Sequence, residues 1–217
     1  MALIHRWPLT KNANDVVGGL HLTNNGTVTF SVDGASFNGS NQWLSGTKSI
    51  QTLSFSLWVK FSTAKTQIAF GFCGANYNSG LGTKLENPVI LYGNGGYINS
   101  MTSVDISDGR FHCVVVTRNA ASTSHALFID GVQRAGTSHS FTMDSNFAIG
   151  RLGSNNDWYY AGVAADARIY DNVLSESEAL ELYTMGPNYV GVNHPRPRVS
   201  TPVILSTMPT ALTRGFR

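Results

Sequence analysis

Hydrolysis of a glycosidic bond needs two carboxyl groups at a fixed separation, one as acid and one as base or nucleophile, and this sequence supplies few candidates. Its glutamates are Glu86, Glu176, Glu178 and Glu181. The last three fall in a segment patterned as a helix, where capping and solvation account for them. No strand-like segment carries two acids at alternating positions, the spacing that would set both on one face of a sheet. The six histidines, His5, His21, His112, His125, His139 and His194, show neither metal-ligand spacing nor a nearby Gly-x-Ser-x-Gly turn. They read as incidental, with His112 in a packing or backbone hydrogen-bonding role. Tyr92-Gly93-Asn94-Gly95-Gly96-Tyr97 opens no helix, so it is not a phosphate loop. Cys73 and Cys113 make no disulfide framework, and Cys113 reads as a small buried hydrophobe. An enzyme is not expected.

Binding is better provided for. Aromatic faces pack against the C–H surfaces of a sugar while Asn, Asp and backbone groups fix its hydroxyls, and pockets in general combine apolar walls with a few polar groups. Two segments have that mixture: Asn76-Tyr77-Asn78-Ser79-Gly80, joined by Tyr92, Asn94, Tyr97 and Asn99, and Asn155-Asn156-Asp157-Trp158-Tyr159. The candidate contacts are therefore Tyr77, Asn78, Tyr92, Asn94, Asn155, Asp157, Trp158 and Tyr159. The competing reading is that Trp158 and Tyr160 pack at strand edges and the asparagines only make turns.

The elements that would carry these residues are strands. The 217 residues include 22 glycines, and only 13% are charged against 42% apolar, which suits one weakly charged, turn-rich β domain. Ser54 to Phe61 alternates, with Phe55, Leu57, Val59 and Phe61 on one face and Ser54, Ser56, Trp58 and Lys60 on the other, the pattern of a half-buried strand. Phe111 to Arg118 is apolar on both faces, as in a central strand. Asp130-Gly131 after Ala126-Leu127-Phe128-Ile129 predicts a two-residue hairpin turn with both residues at positive φ. Phe147 to Arg151 and Ala164 to Tyr170 are two further strands. The one helix is Ser175 to Tyr183, where Ser175 and Glu178 form a capping box.

Residues 185–217 differ from the rest. They hold five of the seven prolines and Arg196, Arg198, Arg214 and Arg217 with no acid, whereas the first 184 residues carry eleven basic and thirteen acidic residues. An extended arm is expected there, and the apolar run with Val203, Ile204 and Leu205 could add a strand to a partner while the arginines meet acidic patches. Nucleic acid is disfavoured, because no aromatic interleaving or dense basic cluster accompanies the charge. No segment has the apolar length of a membrane span and the N-terminus lacks a signal-peptide pattern, which leads us to expect synthesis in a cytoplasm.

A family resemblance rests on an ordered set of pieces: Ile4-His5-Arg6-Trp7-Pro8-Leu9, Ala35-Ser36-Phe37-Asn38-Gly39-Ser40-Asn41-Gln42-Trp43-Leu44, the Trp58 strand, Phe111 to Arg118, Leu127-Phe128-Ile129-Asp130-Gly131, Ile149-Gly150-Arg151, Asp166 to Tyr170 and Leu174 to Glu178. Spanning roughly residues 3 to 184, they resemble laminin-G-like, concanavalin A-like jelly rolls. The resemblance implies two antiparallel sheets packed face to face, an N-terminal strand meeting the last strands, a short closing helix, and a fold used in carbohydrate recognition, adhesion and assembly. Relatives usually have Phe-Asp-Gly where this chain has Phe37-Asn38-Gly39, and paired aspartates where it has Ala165-Asp166. Some members bind calcium through acids in comparable regions. The missing carboxylates disfavour calcium here, with Asp33, Asp157 and Asp166 the remaining candidate ligands.

The expected organisation is a jelly-roll domain over 1–184 and an arm over 185–217. The leading functional expectation is a structural or adhesion protein of a phage or viral particle, such as a capsid, decoration or tail-fibre component, made in the host cytoplasm and built as a homo-oligomer or docked on other structural proteins through the arm. The alternative is a carbohydrate-binding or adhesion module of a bacterial surface or secreted system that recognises surface glycans.

Overall fold

The computed structural model describes residues 2–48, 53–63, 67–73, 78–84, 87–93, 96–98, 104–119, 121, 124–138, 145–151 and 158–187, with backbone alone at 53, from 72 to 98 and at 137–138. Among them fifteen strands precede one helix: β1 Leu3–Trp7, β2 Thr23–Asn25, β3 Thr29–Ser31, β4 Gly34–Asn38, β5 Trp43–Thr47, β6 Leu53–Phe61, β7 Gln67–Cys73, β8 Asn78–Lys84, β9 Asn87–Gly93, β10 Gly96–Ile98, β11 His112–Asn119, β12 Ser124–Ile129, β13 Val132–Ser138, β14 Asn146–Ile149, β15 Ala161–Tyr170 and α1 Glu176–Met185. One sheet has the order β13-β12-β11-β6-β15-β4-β3, with β1 also paired to β15; the other has the order β10-β9-β8-β7-β14-β5-β2. All pairings between these strands are antiparallel.

The main core lies between the sheets. Phe55, Leu57, Val59 and Phe61 of β6 meet Phe70 of β7 and Phe147 and Ile149 of β14, and the Phe55 and Phe70 rings are stacked. Period-two alternation makes this possible, since every second residue of a strand reaches the same face.

The other face of β6 departs from the half-buried expectation. Ser54, Ser56 and Trp58 are buried as well, because the segment Asn172–Leu174, bonded to Ser54, and α1 after it cover the outside of the sheet. Trp58 joins a second apolar cluster with Cys113, Val115, Phe128, Tyr170, Leu174, Ala179 and Leu182, and its ring stacks on Tyr183 at 6.0 Å. This cover also explains why β11 is apolar on both faces: Val114 enters the main core and Cys113 and Val115 the second cluster. Burial pushes the Cys113 thiol pKa up, so it is held as a neutral thiol.

Local signals account for the joints. Asp130 and Gly131 have φ of 53° and 79° and connect β12 to β13 with Ile129 opposite Val132, as a type I′ turn requires. Ser175 caps α1 by accepting from the Glu178 N–H, and the Glu178 carboxylate accepts from the Ser175 N–H in return. The Asp130 carboxylate accepts from the Cys113 N–H at 2.9 Å. His112 is held between two acids, Nδ1 2.8 Å from Asp130 and Nε2 3.1 Å from Asp108.

β1 closes the molecule against β15, with Arg6 opposite Arg168 and Trp7 opposite Ala167. The Ala2 N–H donates to Asn172 Oδ1 at 3.1 Å, so the start of this unit and the end of its last strand lie side by side, as the resemblance implies. The loop after β1 is organised by Asp15, whose buried carboxylate accepts from the N–H groups of Arg6, Val17, Gly18 and Leu20. His5 Nδ1 lies 2.6 Å from the same carboxylate. Burial opposes its charge, but these bonds outweigh burial and lower its pKa to about 2. The sequence reading of the histidines as incidental is therefore corrected at His5, a structural partner of Asp15. His112 has a hydrogen-bonding role as expected, though its partners are the carboxylates of Asp130 and Asp108 and not the backbone.

No helix among the described residues is long and apolar enough to cross a membrane.

Candidate functional site

On the outer face of the second sheet, β5 alternates: Leu44 is fully buried in the main core and Trp43 is only half-buried on the opposite side. Strand β14 pairs with β5 through Ile149 and Leu44, and the chain then bends at Gly150. Gly150 has φ 102°, and a Cβ there would sit 2.6 Å from the Phe37 ring, so both the backbone conformation and the space require glycine. The bend delivers Arg151 onto Trp43, with the guanidinium carbon 4.0 Å from the indole ring centre, a stacked cation–π pair.

The third member is Tyr159. Residues 158–160 are stitched between β7 and the end of β14: the Ile68 N–H donates to Trp158 O, the Tyr160 N–H to Gly150 O, and the Gly150 N–H to Ala69 O, each at 2.9 Å. Tyr160 turns inward and is fully buried. Its one hydroxyl proton is shared between the carbonyls of Lys60 and Val163, at 2.8 and 2.9 Å, and the oxygen accepts from the Lys60 N–H. Its neighbour Tyr159 lies on the other side, 6.0 Å from Trp43 with the rings tilted by 48°. Trp158 has φ 63°, which for a bulky side chain costs on the order of 1–3 kcal/mol and is held only by surrounding contacts.

Polar groups line the same strands. Asn25 pairs with Trp43 across β2 and β5 and donates through Nδ2 to Ser45 Oγ at 3.0 Å, while Thr47 Oγ1 donates to Asn146 Oδ1 at 2.9 Å. The backbone register runs on across the sheet, from Asn146 to Cys73 to Asn78 and, one step along, from Ser45 to Ala148 to Gly71 to Gly80. Leu81 pairs with Leu91, which sets Tyr92 at the next position beside Gly80, and Tyr92 in turn pairs with Tyr97. The described parts of the two candidate segments, far apart in the chain, thus meet at one sheet: Asn78–Gly80 and Tyr92 lie in its strands, and Tyr159 bridges to Ile68 of β7. Tyr77, Asn94, Asn155 and Asp157 lie outside the described residues, as do the arm residues Arg196, Arg198, Val203, Ile204, Leu205, Arg214 and Arg217. Sequence reasoning did not assign Trp43 or Arg151 to the site. The available signal was Trp43 alternating with a core leucine, which places a large aromatic on the face away from the core.

The acids considered as calcium ligands are placed differently. Asp166 sits at a bulge in β15 with φ 47°, buried and paired with Arg6 Nε at 2.8 Å and Arg168 Nε at 3.2 Å. Burial would raise its pKa, but Arg168 and then Arg6 hold it below the usual carboxylate range. A carboxylate committed to two guanidinium groups is not free to ligate a cation. Asp33 is exposed at the turn between β3 and β4, and Asp157 lies outside the described residues. Among the described residues, no three His, Cys, Asp or Glu side chains are grouped so that they could hold a metal ion. Where relatives carry Phe-Asp-Gly, Asn38 makes the turn itself, its Oδ1 accepting from the N–H groups of Ser40 and Asn41.

Residues 33–179 match the concanavalin A-like lectin/glucanases superfamily. The chain belongs to that superfamily. No curated protein sequence matches it. Among solved structures, this concanavalin A-like chain is similar to domain 4 of AbnA, an extracellular arabinanase from Geobacillus stearothermophilus, in complex with arabinotriose, with 21% identity over 83% of this chain and 97% of that one and a TM-score of 0.69. It is also similar to the receptor-binding domain of botulinum neurotoxin C/D mosaic serotype, with 16% identity, 85% of this chain, 51% of that one and a TM-score of 0.65. A third is the heptameric SAP-like pentraxin of Limulus polyphemus, with 14% identity over 70% of this chain and 81% of that one and a TM-score of 0.57. This chain therefore spans about half of the toxin domain. At these identities the likeness carries the fold.

Proposed function

We propose that this protein is a non-catalytic carbohydrate-binding or adhesion module of a secreted or cell-surface system, with its glycan site on the outer face of the second sheet around Trp43, Arg151, Trp158 and Tyr159. The observation that carries this reading is the Trp43–Arg151–Tyr159 cluster: a half-buried indole stacked by a guanidinium and flanked by a tyrosine, beside Asn25, Ser45, Thr47 and Asn146. Aromatic surface meets the C–H faces of a sugar, and the amides and hydroxyls meet its oxygens. Asn78 and Tyr92, which the backbone register sets on the same sheet, are included in the proposed surface. The arabinanase domain solved with arabinotriose and the toxin receptor-binding domain support recognition by this fold, and the extracellular setting of the arabinanase supports the location. A virion component held by an arm over residues 185–217 gains no support from these relatives.

The test is a glycan array followed by calorimetry with arabinotriose as the first soluble probe. Wild type is expected to bind at least one glycan class, and Trp43→Ala and Tyr159→Ala to lose about tenfold or more in affinity with an unchanged melting temperature. A silent array, or binding indifferent to both substitutions, would sink the proposal.

A further inference from the structure

Arg151 differs from three other arginines of the molecule. Arg6 and Arg168 are paired with Asp166, and Arg110 with Asp108. Arg151 is half-buried against Trp43, no carboxylate among the described residues pairs with it, and its Nε is buried without a hydrogen-bond partner. A guanidinium offers five N–H donors in a planar fork that matches a carboxylate, and stacking on an indole fixes the plane of that fork. An Arg kept beside aromatic and amide groups, with no acid among the described residues paired to it, has an unmet demand for anionic oxygen. A neutral sugar has hydroxyls to offer it, whereas a hexuronate offers two equivalent oxygens at the spacing of the fork.

Resting on the glycan site proposed above, we propose that this site selects acidic saccharides, with Arg151 gripping the carboxylate of a uronate residue while Trp43 and Tyr159 pack against the sugar ring. Arg151 is the specificity-determining residue, and the aromatics supply binding that does not depend on charge. The stack on Trp43 holds the guanidinium in place before the ligand arrives, so little side-chain freedom is lost on binding.

The experiment compares trigalacturonate with arabinotriose by calorimetry at low and high salt, using the full chain and the variants Arg151→Gln, Arg151→Lys and Trp43→Ala, each checked for an unchanged melting temperature. The expected result is a preference of roughly tenfold or more for trigalacturonate, weakened by salt. Arg151→Gln should abolish that preference while keeping residual binding, Arg151→Lys should restore part of it, and Trp43→Ala should weaken both ligands. Equal affinity for the two trisaccharides, or a preference that survives Arg151→Gln, would overturn the acidic specificity and leave the glycan site standing. Binding of neither trisaccharide together with a silent array would overturn both.

Discussion

Trp58 and Trp43 occupy matching positions on opposite sheets, each alternating along its strand with residues of the main core and each directed away from it. On the first sheet α1 lies over the outer face, so Trp58 is 5% exposed and stacks on Tyr183. On the second, Trp43 stays half-buried, with Arg151 and Tyr159 against it. The covered face has become a second core and contributes stability. The other face combines a cation with aromatics and amides, groups that a core would have to satisfy internally at a cost. What lies across a sheet decides whether an outward tryptophan builds or binds.

The largest expected effect breaks the covered face. Trp58→Ala removes the centre of the second cluster and should cost about 3–5 kcal/mol in chemical denaturation; a loss below about 1 kcal/mol would show that α1 is not seated on this ring. Next is Gly131, where φ is 79° and a Cβ would sit 2.8 Å from the Leu180 Cα. Gly131→Ala should cost about 1–3 kcal/mol, because the turn is strained and the helix is pushed outward.

A pH effect is expected at the margin of the same face. Burial works against a charged His112, but the bonds to and charge of Asp130, then Asp108, outweigh it and raise its pKa above the usual histidine value. The stabilisation is therefore fully present below the ordinary histidine pKa and is lost as pH rises through the raised value. Denaturation curves of wild type and His112→Gln should converge as pH climbs through that window, and parallel curves would remove His112 from the account. The smallest effect on stability belongs to the open face: Trp43→Ala should change it by less than about 1 kcal/mol. A loss comparable to that of Trp58→Ala would erase the contrast between the two faces.

Much of the fold was legible because its signals are local. The Asp130-Gly131 turn, the Ser175–Glu178 capping box and the alternation of β6 are short-range patterns with one physical solution each, and the superfamily followed from their order. The burial of Trp58 was not legible, since alternation assigns a face but cannot say that a helix more than a hundred residues later will cover it. The site was half legible for the same reason. Trp158 and Tyr159 stand out in a polar segment, whereas Trp43 and Arg151 meet them only through the pairing of β5 with β14 and the bend at Gly150. Asp15 and Asp166 were similarly opaque, because a carboxylate's partners depend on which backbone and guanidinium groups the fold brings to it.

The pairing of β1 with β15, reinforced by Arg6 on Asp166 across 160 positions of the chain, has a consequence for biosynthesis. At about 5–20 residues per second, the strand made first leaves the ribosome roughly 10 to 30 s before its partner exists. Through that interval Leu3 to Trp7 has no sheet to join, and Trp7 has no core to enter. The first strand of this unit, whose partner in the sheet is its last strand, is thus among the last to be paired.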